Sequence, residues 1–234
     1  MTEKPLIHVV DDDGELRIAL LRLLDAAGLE ARGYASTGEF LLHPLPDHPG
    51  CLLLDVSLPG PSGLELQEVL RQHGCMLPVV FLTGRGDVPS SVRAMKAGAV
   101  DFLQKPVQRD TLLGALDRAL AHDATQRCAR DASRRLEALF ATLTAREREV
   151  FDRVVAGKLN KQIADELHTS ERTIKAERAH LMLKLGADSA AELGRLAERL
   201  RQQPSRAPVA SLGASLSGNR FALAPDSHST APDG

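Results

Sequence analysis

The sequence predicts an α/β chain in two parts: a doubly wound, five-stranded parallel sheet, then an all-α four-helix domain containing a helix-turn-helix. Three observations predict it. The runs Ile7-His8-Val9-Val10, Cys51-Leu52-Leu53-Leu54, Val79-Val80-Phe81-Leu82 and Val100-Asp101-Phe102-Leu103 each finish at polar residues, as strands buried on both faces of a parallel sheet do. Amphipathic helical stretches alternate with them, the pattern of strand-helix-strand crossovers. From Thr144 onward the apolar spacing is helical only.

Taken in order, the first strand runs into Asp11-Asp12-Asp13-Gly14. Leu16, Ala19, Leu20, Leu23 and Leu24 then recur at helical spacing until Gly28 closes the stripe, and Asp13 reads as the N-cap of that helix. Ser36-Thr37-Gly38-Glu39 matches a capping box before Phe40-Leu41-Leu42. Helical stripes follow from Gly63 to Leu70, from Val88 to Ala97 (ended by Gly98) and from Asp110 to Ala121. Residues 1–122 make one domain of ordinary size. Residues 123–142 are dominated by Gln126, Arg127, Arg130, Asp131, Arg134, Arg135 and Glu137 with few breakers, a charged helical linker. The second domain, 143–203, opens on the capping box Thr144-Ala145-Arg146-Glu147 and a helix stopped by Gly157. Next come a short helix from Asn160 to Leu167, a turn at His168-Thr169, and a longer helix capped by Ser170 that reaches Leu185-Gly186. Ser189-Ala190-Ala191-Glu192 then caps a last helix that runs to about Arg201. Residues 204–234, rich in Pro, Ser, Ala and Gly, lack the apolar groups to order themselves.

The bulk numbers fit this division. The 234 residues are 43% hydrophobic and 26% charged, with a net charge of −2, a globular composition. The charge is uneven: residues 1–124 carry 11 basic and 17 acidic groups, while 125–203 carry 16 and 12. An acidic half joined to a basic one suggests a metal-binding or regulatory part and a polyanion-binding part. The three cysteines lie far apart without metal-ligand spacing, which suits a reducing cytosol. No apolar run approaches the ~18 residues that cross a bilayer, and no signal peptide is evident.

In open α/β sheets ligands sit beyond the carboxyl ends of the strands. Asp11, Asp12 and Asp13, Asp55, Thr83 and Lys105 all stand at such ends. Adjacent carboxylates repel one another unless a hard cation lies among them, and Mg2+ accepts oxygen ligands while keeping room for a phosphate oxygen. Asp55 is then a nucleophile toward phosphorus, with Lys105 and Thr83 holding the phosphoryl oxygens. His8, inside an apolar strand, reads as a packed residue, and Asp101 as a solvated or structural acid.

These motifs resemble the receiver domain of bacterial two-component response regulators: Val9-Val10-Asp11-Asp12-Asp13, Leu54-Asp55 with Pro59-Gly60 and Ser62-Gly63, Thr83-Gly84, Ala94-Met95-Lys96-Ala97-Gly98-Ala99, and Asp101-Phe102-Leu103-Gln104-Lys105-Pro106. The resemblance implies a flavodoxin-like fold with Asp11 and Asp12 as the acidic pair, Asp12 binding Mg2+ directly. It makes Asp55 the phosphoacceptor and metal ligand and the Ser57 carbonyl a further ligand. Thr83 and Phe102 become the switch residues, Lys105 the family lysine, and Lys105-Pro106 a cis bond.

Residues 144–200 resemble the LuxR-type helix-turn-helix in Leu143-Thr144-Ala145-Arg146-Glu147-Arg148-Glu149-Val150, Asn160-Lys161-Gln162-Ile163-Ala164, Thr173-Ile174-Lys175 and Lys184-Leu185. With Gly84-Arg85-Gly86-Asp87-Val88-Pro89 and the long linker, they point to the FixJ-like branch of the NarL/FixJ regulators. Ile174, Leu181 and Leu185 share a core-facing stripe of the second helix, and Arg172, Lys175, Ala176 and Ala179 lie opposite, where a recognition helix meets the major groove. Lys175 suits guanine edges and the alanines thymine methyls, while Thr173, Lys161, Arg178 and Lys184 suit phosphates. Two residues depart from the family pattern: Glu177 replaces a histidine and Leu159 a small polar residue. Glu177 would weaken phosphate binding unless it paired with a neighbour such as Arg178 or Lys184.

The resemblance implies a cytoplasmic, non-enzymatic transcription factor, phosphorylated on Asp55 by a sensor histidine kinase. It would dimerise through a surface spanning about 88–105, bind double-stranded DNA, and have RNA polymerase as a further partner. Two alternatives differ in class. A haloacid-dehalogenase-type phosphatase would carry D-x-D-x-[T/V] after the first strand, where this chain has Asp11-Asp12-Asp13-Gly14-Glu15, and it gives no reason for a helix-turn-helix. A phospho-switched adaptor that binds only protein would show no salt-dependent affinity for duplex DNA.

Overall fold

The computed structural model describes residues 4–43, 48–84 and 88–201. The proposed tail at 204–234 and residues 85–87 of the Gly84–Pro89 motif lie outside them. Two compact units divide between Thr125 and Gln126.

In the first unit, β1 (Leu6–Val10), β2 (Glu30–Tyr34), β3 (Gly50–Asp55), β4 (Val79–Thr83) and β5 (Asp101–Gln104) form one sheet in the order β2-β1-β3-β4-β5. Every pairing is parallel. Helices α1 (Gly14–Ala26), α2 (Thr37–Leu42), α3 (Gly63–Gln72) and α4 (Val88–Lys96) connect the strands. β3 is buried at all six positions, as a central strand covered on both faces must be. Its first residue has to be glycine, because a Cβ at Gly50 would lie 2.1 Å from the Leu6 carbonyl oxygen. Two apolar clusters fill the faces: Ile7, Val9, Leu24, Leu53, Leu82 and Leu116 on one, Val10, Phe40, Leu52, Leu54, Leu66 and Phe81 on the other.

Local chemistry sets the helix starts. Asp13 caps α1, accepting from the Glu15 and Leu16 N–H groups, so the helix begins two residues before the first apolar position of its stripe. Ser36 caps α2 through the Glu39 N–H, but Glu39 reaches back to the Ala35 N–H at 2.6 Å rather than to Ser36. A full capping box forms instead at Ser62 and Glu65, ahead of α3.

The expected last helix of the sheet domain and the charged linker are one helix, α5 (Arg109–Ala141), 33 residues long. The change in composition after Ala121 is a change of surroundings, not of backbone, since no Gly or Pro interrupts residues 115–141. On α5, buried Asp123 accepts the Gly50 N–H at 3.0 Å, securing the start of β3.

The second unit holds α6 (Ala145–Val155), α7 (Asn160–Glu166), α8 (Glu171–Leu185) and α9 (Ala190–Arg201). Thr144 and Glu147 close the expected capping box, and Ser170 caps α8 through the Thr173 N–H. Gly186 ends α8 in the left-handed conformation (φ 64°), which glycine adopts without strain. His168 supplies the turn between α7 and α8 with φ 51°. Val150, Phe151, Ile163, Ile174, Leu181, Leu185 and Leu193 form one buried cluster. Among the described residues, no helix is long and apolar enough to cross a membrane.

Candidate functional site

The sheet brings the expected pocket together. Asp11 follows β1, Asp55 ends β3, Thr83 ends β4 and Lys105 follows β5. Asp11, Asp55 and Thr83 are buried; Asp12 is exposed. The Lys105 ammonium donates to Asp11 Oδ2 at 2.7 Å and to Asp55 Oδ2 at 2.8 Å. The other oxygens accept backbone donors: Asp13 N–H to Asp11 Oδ1 and Ser57 N–H to Asp55 Oδ1, both 3.0 Å. Lys105-Pro106 is cis.

Burial pushes the Asp11 carboxyl above its ordinary pKa, and the Asp55 charge adds to this although Lys105 opposes it. Burial alone would lower the pKa of Lys105, but its bonds to Asp11 and Asp55 outweigh that and raise it. One ammonium thus stays charged between two carboxylates, and the Asp11 carboxylate is not fully compensated. One oxygen each of Asp11, Asp12 and Asp55 lies within 4.8 Å of the other two. Three hard oxygen donors with residual negative charge fit Mg2+ chemistry. Ser57 stands beside them, its N–H already on Asp55.

Phe102 pairs in register with Phe81, with ring centroids 6.1 Å apart, and is half-buried at the edge of the apolar cluster. His8 is packed, as expected: 6% exposed, with Nδ1 2.9 Å from the Tyr34 hydroxyl. Asp101 is a structural acid, paired with Arg118 and capping the Phe102 N–H.

Two supporting roles, those of Arg17 and of Gly63 within the quoted motif, escaped sequence reasoning. Arg17 Nη1 donates to the Asp11 carbonyl at 2.6 Å, yet its place in α1 reads like that of any surface arginine. Gly63 lets α3 approach the phosphoacceptor strand: a Cβ there would fall 2.2 Å from the Asp55 carbonyl oxygen.

In the second unit, Ile174, Leu181 and Leu185 are buried, while Arg172, Thr173, Lys175, Ala176 and Ala179 on α8 and Lys161 on α7 are exposed. Two other phosphate candidates have partners inside the unit. Arg178 donates to Asn160 Oδ1 at 2.6 Å; Lys184 donates to Glu147 Oε2 at 2.8 Å and to the Thr142 carbonyl at 3.0 Å. The Lys184 bond, with the Thr144 N–H, drives the Glu147 pKa down to about 2. Glu177 pairs with neither Arg178 nor Lys184; its partner is Arg146 on α6, at 3.4 Å. Leu159, the N-cap position of α7, is 69% exposed and makes no side-chain cap.

Residues 7–117 match the family model of the response regulator receiver domain, and 141–197 that of the luxR family of bacterial regulatory proteins. The chain is similar to nodulation protein W of Bradyrhizobium diazoefficiens, 44% identical over 84% of this chain and 87% of that protein. It is similar to the transcriptional regulatory protein FixJ of Azorhizobium caulinodans, 41% identical over 84% and 93%. Among solved structures, response regulator StyR superposes with a TM-score of 0.73 at 45% identity, covering 84% of this chain and 99% of that one. Full-length FixJ from B. japonicum gives 0.52 at 38%, covering 87% and 100%.

Proposed function

Since this chain belongs to the two-component response regulators that join a receiver domain to a LuxR-type DNA-binding domain, we propose that Asp55 is its phosphoacceptor and that phosphorylation there switches dimerisation and sequence-specific DNA binding. The family regulates transcription and is not enzymatic. Its receivers take phosphoryl from a sensor histidine kinase, and its second domain binds DNA.

The observation that carries the proposal is the Lys105 ammonium held 2.7 and 2.8 Å from two buried carboxylates drawn from different strands. An Asp55 carboxylate oxygen attacks the phosphorus of a phosphohistidine. The P–N bond breaks, its electron pair stays on the imidazole, and an acyl phosphate forms. A magnesium ion held by Asp11, Asp12, Asp55 and the Ser57 carbonyl would neutralise charge on the incoming phosphoryl oxygens. Lys105 needs only to exchange its Asp55 contact for a phosphoryl oxygen. Thr83, buried at the end of β4, follows the same oxygens, and Phe102, half-buried against Phe81, turns inward as that space opens. The surface from α4 to β5 then favours a dimer.

In the dimer, two copies of α8 would enter successive major grooves. Arg172, Lys175, Ala176 and Ala179 would face the bases, with Thr173 and Lys161 on phosphates. Arg178 and Lys184 would take phosphates only by leaving Asn160 and Glu147. RNA polymerase is the further partner such a regulator would engage. With no disulfide joining Cys51, Cys75 or Cys128, a reducing cytoplasm suits the chain.

The test is intact mass after incubation with Mg2+ and acetyl phosphate. A single phosphoryl increment is expected in the natural protein, and none without Mg2+ or in Asp55→Asn. An equal increment in Asp55→Asn would refute the assignment.

A further inference from the structure

We infer that Glu177 is an internal counter-ion that holds Arg146 off the DNA backbone and so limits how tightly the domain grips a duplex of any sequence. The inference rests on the DNA-binding reading above.

Glu177 follows Ala176 on α8, about 100° further round the helix, between the exposed face and the buried stripe of Ile174 and Leu181. Its Oε1 accepts from Arg146 Nε at 3.4 Å. Its Oε2 is buried and makes no hydrogen bond. Arg146 Nη1 also faces Glu149 Oε2 at 3.6 Å, so two carboxylates bracket one guanidinium.

This pair is a poor stabiliser. Strong arginine–carboxylate pairs close two short parallel bonds, whereas Glu177 makes one long contact and desolvates its second oxygen without compensation. Its position gives it another effect. Arg146 is 38% exposed and touches the residue adjoining Ala176, so its guanidinium sits at the margin of the reading face. An arginine at that margin suits a phosphate. Glu177 opposes that contact twice, by occupying the guanidinium and by adding negative charge beside the phosphates. Phosphate contacts carry affinity but not sequence, so the effect is the same for every duplex and no operator is needed to see it.

The experiment uses the full chain, treated with Mg2+ and acetyl phosphate, and a random-sequence duplex over a series of salt concentrations. The proteins are natural, Glu177→Gln, Arg146→Gln and the double variant. One extra phosphate contact steepens the slope of log affinity against log salt by about 0.9. Glu177→Gln is expected to show that increment and to bind about tenfold tighter at 50 mM salt. Arg146→Gln alone leaves the slope unchanged, because Arg146 is already neutralised; added to Glu177→Gln, it abolishes the gain. An unchanged slope in Glu177→Gln overturns the inference, and so does a flattening by about 0.9 in Arg146→Gln alone. Should Glu177→Gln not fold, judged by circular dichroism, the Arg146→Gln slope decides. If the natural chain binds no duplex at any salt while still taking phosphate on Asp55, the DNA-binding reading itself falls and this inference falls with it.

Discussion

Acid should loosen the receiver through His8. The ring is 6% exposed, bonds the Tyr34 hydroxyl at 2.9 Å, stacks on Tyr34 at 5.7 Å and meets the edge of Phe40 at 5.5 Å. Burial, followed by the charges of Arg32, His48 and His43, lowers its pKa from 6.5 to about 4. The unfolded chain therefore takes up a proton below pH 6.5 that the folded receiver refuses until about pH 4. Stability contributed by neutral His8 is complete above pH 6.5, falls through this window and changes no further below it. The shift corresponds to about 3 kcal/mol, with a slope never above ~1.4 kcal/mol per pH unit. Asp11 works in the opposite sense, because its raised pKa makes the folded state the better proton acceptor. The chain has one tyrosine and no tryptophan, so Tyr34 fluorescence during urea unfolding reports on this unit alone. The natural protein should lose about 3 kcal/mol more than His8→Leu between pH 7 and pH 4. His8→Leu begins lower, its Tyr34 hydroxyl having lost a partner. Parallel losses in the two proteins would refute the reasoning.

Three further outcomes follow from the same geometry. Lys105→Met leaves Asp11 and Asp55 facing each other, so the receiver should lose ~3 kcal/mol without Mg2+ and recover more of its thermal midpoint on Mg2+ addition than the natural protein does; equal responses would contradict the pairing. Gly63→Ala puts a Cβ against the Asp55 carbonyl, and should cost ~2 kcal/mol and slow phosphorylation by acetyl phosphate; wild-type rate and midpoint would show that α3 need not approach so closely. Lys161→Ala should flatten the salt dependence of duplex binding by about 0.9, whereas Lys184→Ala should leave that slope alone and lower the thermal midpoint of the second unit; the reverse pattern would show Lys184 on DNA.

The pocket was legible because strand ends announce themselves: an apolar run followed by Asp11, Asp55, Thr83 or Lys105 fixes both the strand and the side that its last residue reaches. The Asp13 cap and the Thr144–Glu147 box were legible for a similar reason, each being a pattern within four residues. Long-range pairings were not. Lys184 meets Glu147 across 37 positions, Glu177 meets Arg146 across 31 and Arg178 meets Asn160 across 18, and no periodicity marks a charged residue as spoken for. The continuity of α5 was hidden by composition, since a stretch rich in arginine and glutamine propagates a helix as well as an apolar one. The roles of Arg17 and of Gly63, the latter quoted only as part of a motif, were not legible because they concern backbone oxygens, whose positions only the folded chain defines.

The bond from Gly50 to Asp123 governs where this chain can be cut. A receiver fragment ending at residue 122 stops one residue short of the carboxylate that accepts the Gly50 N–H. That buried amide would be stranded at a cost of ~1–3 kcal/mol, at the opposite end of the strand that carries Asp55. A fragment carried through Thr125 keeps the acceptor and ends where the compact unit ends. Three residues of helix thus separate an excised receiver that is weakened from one that is whole.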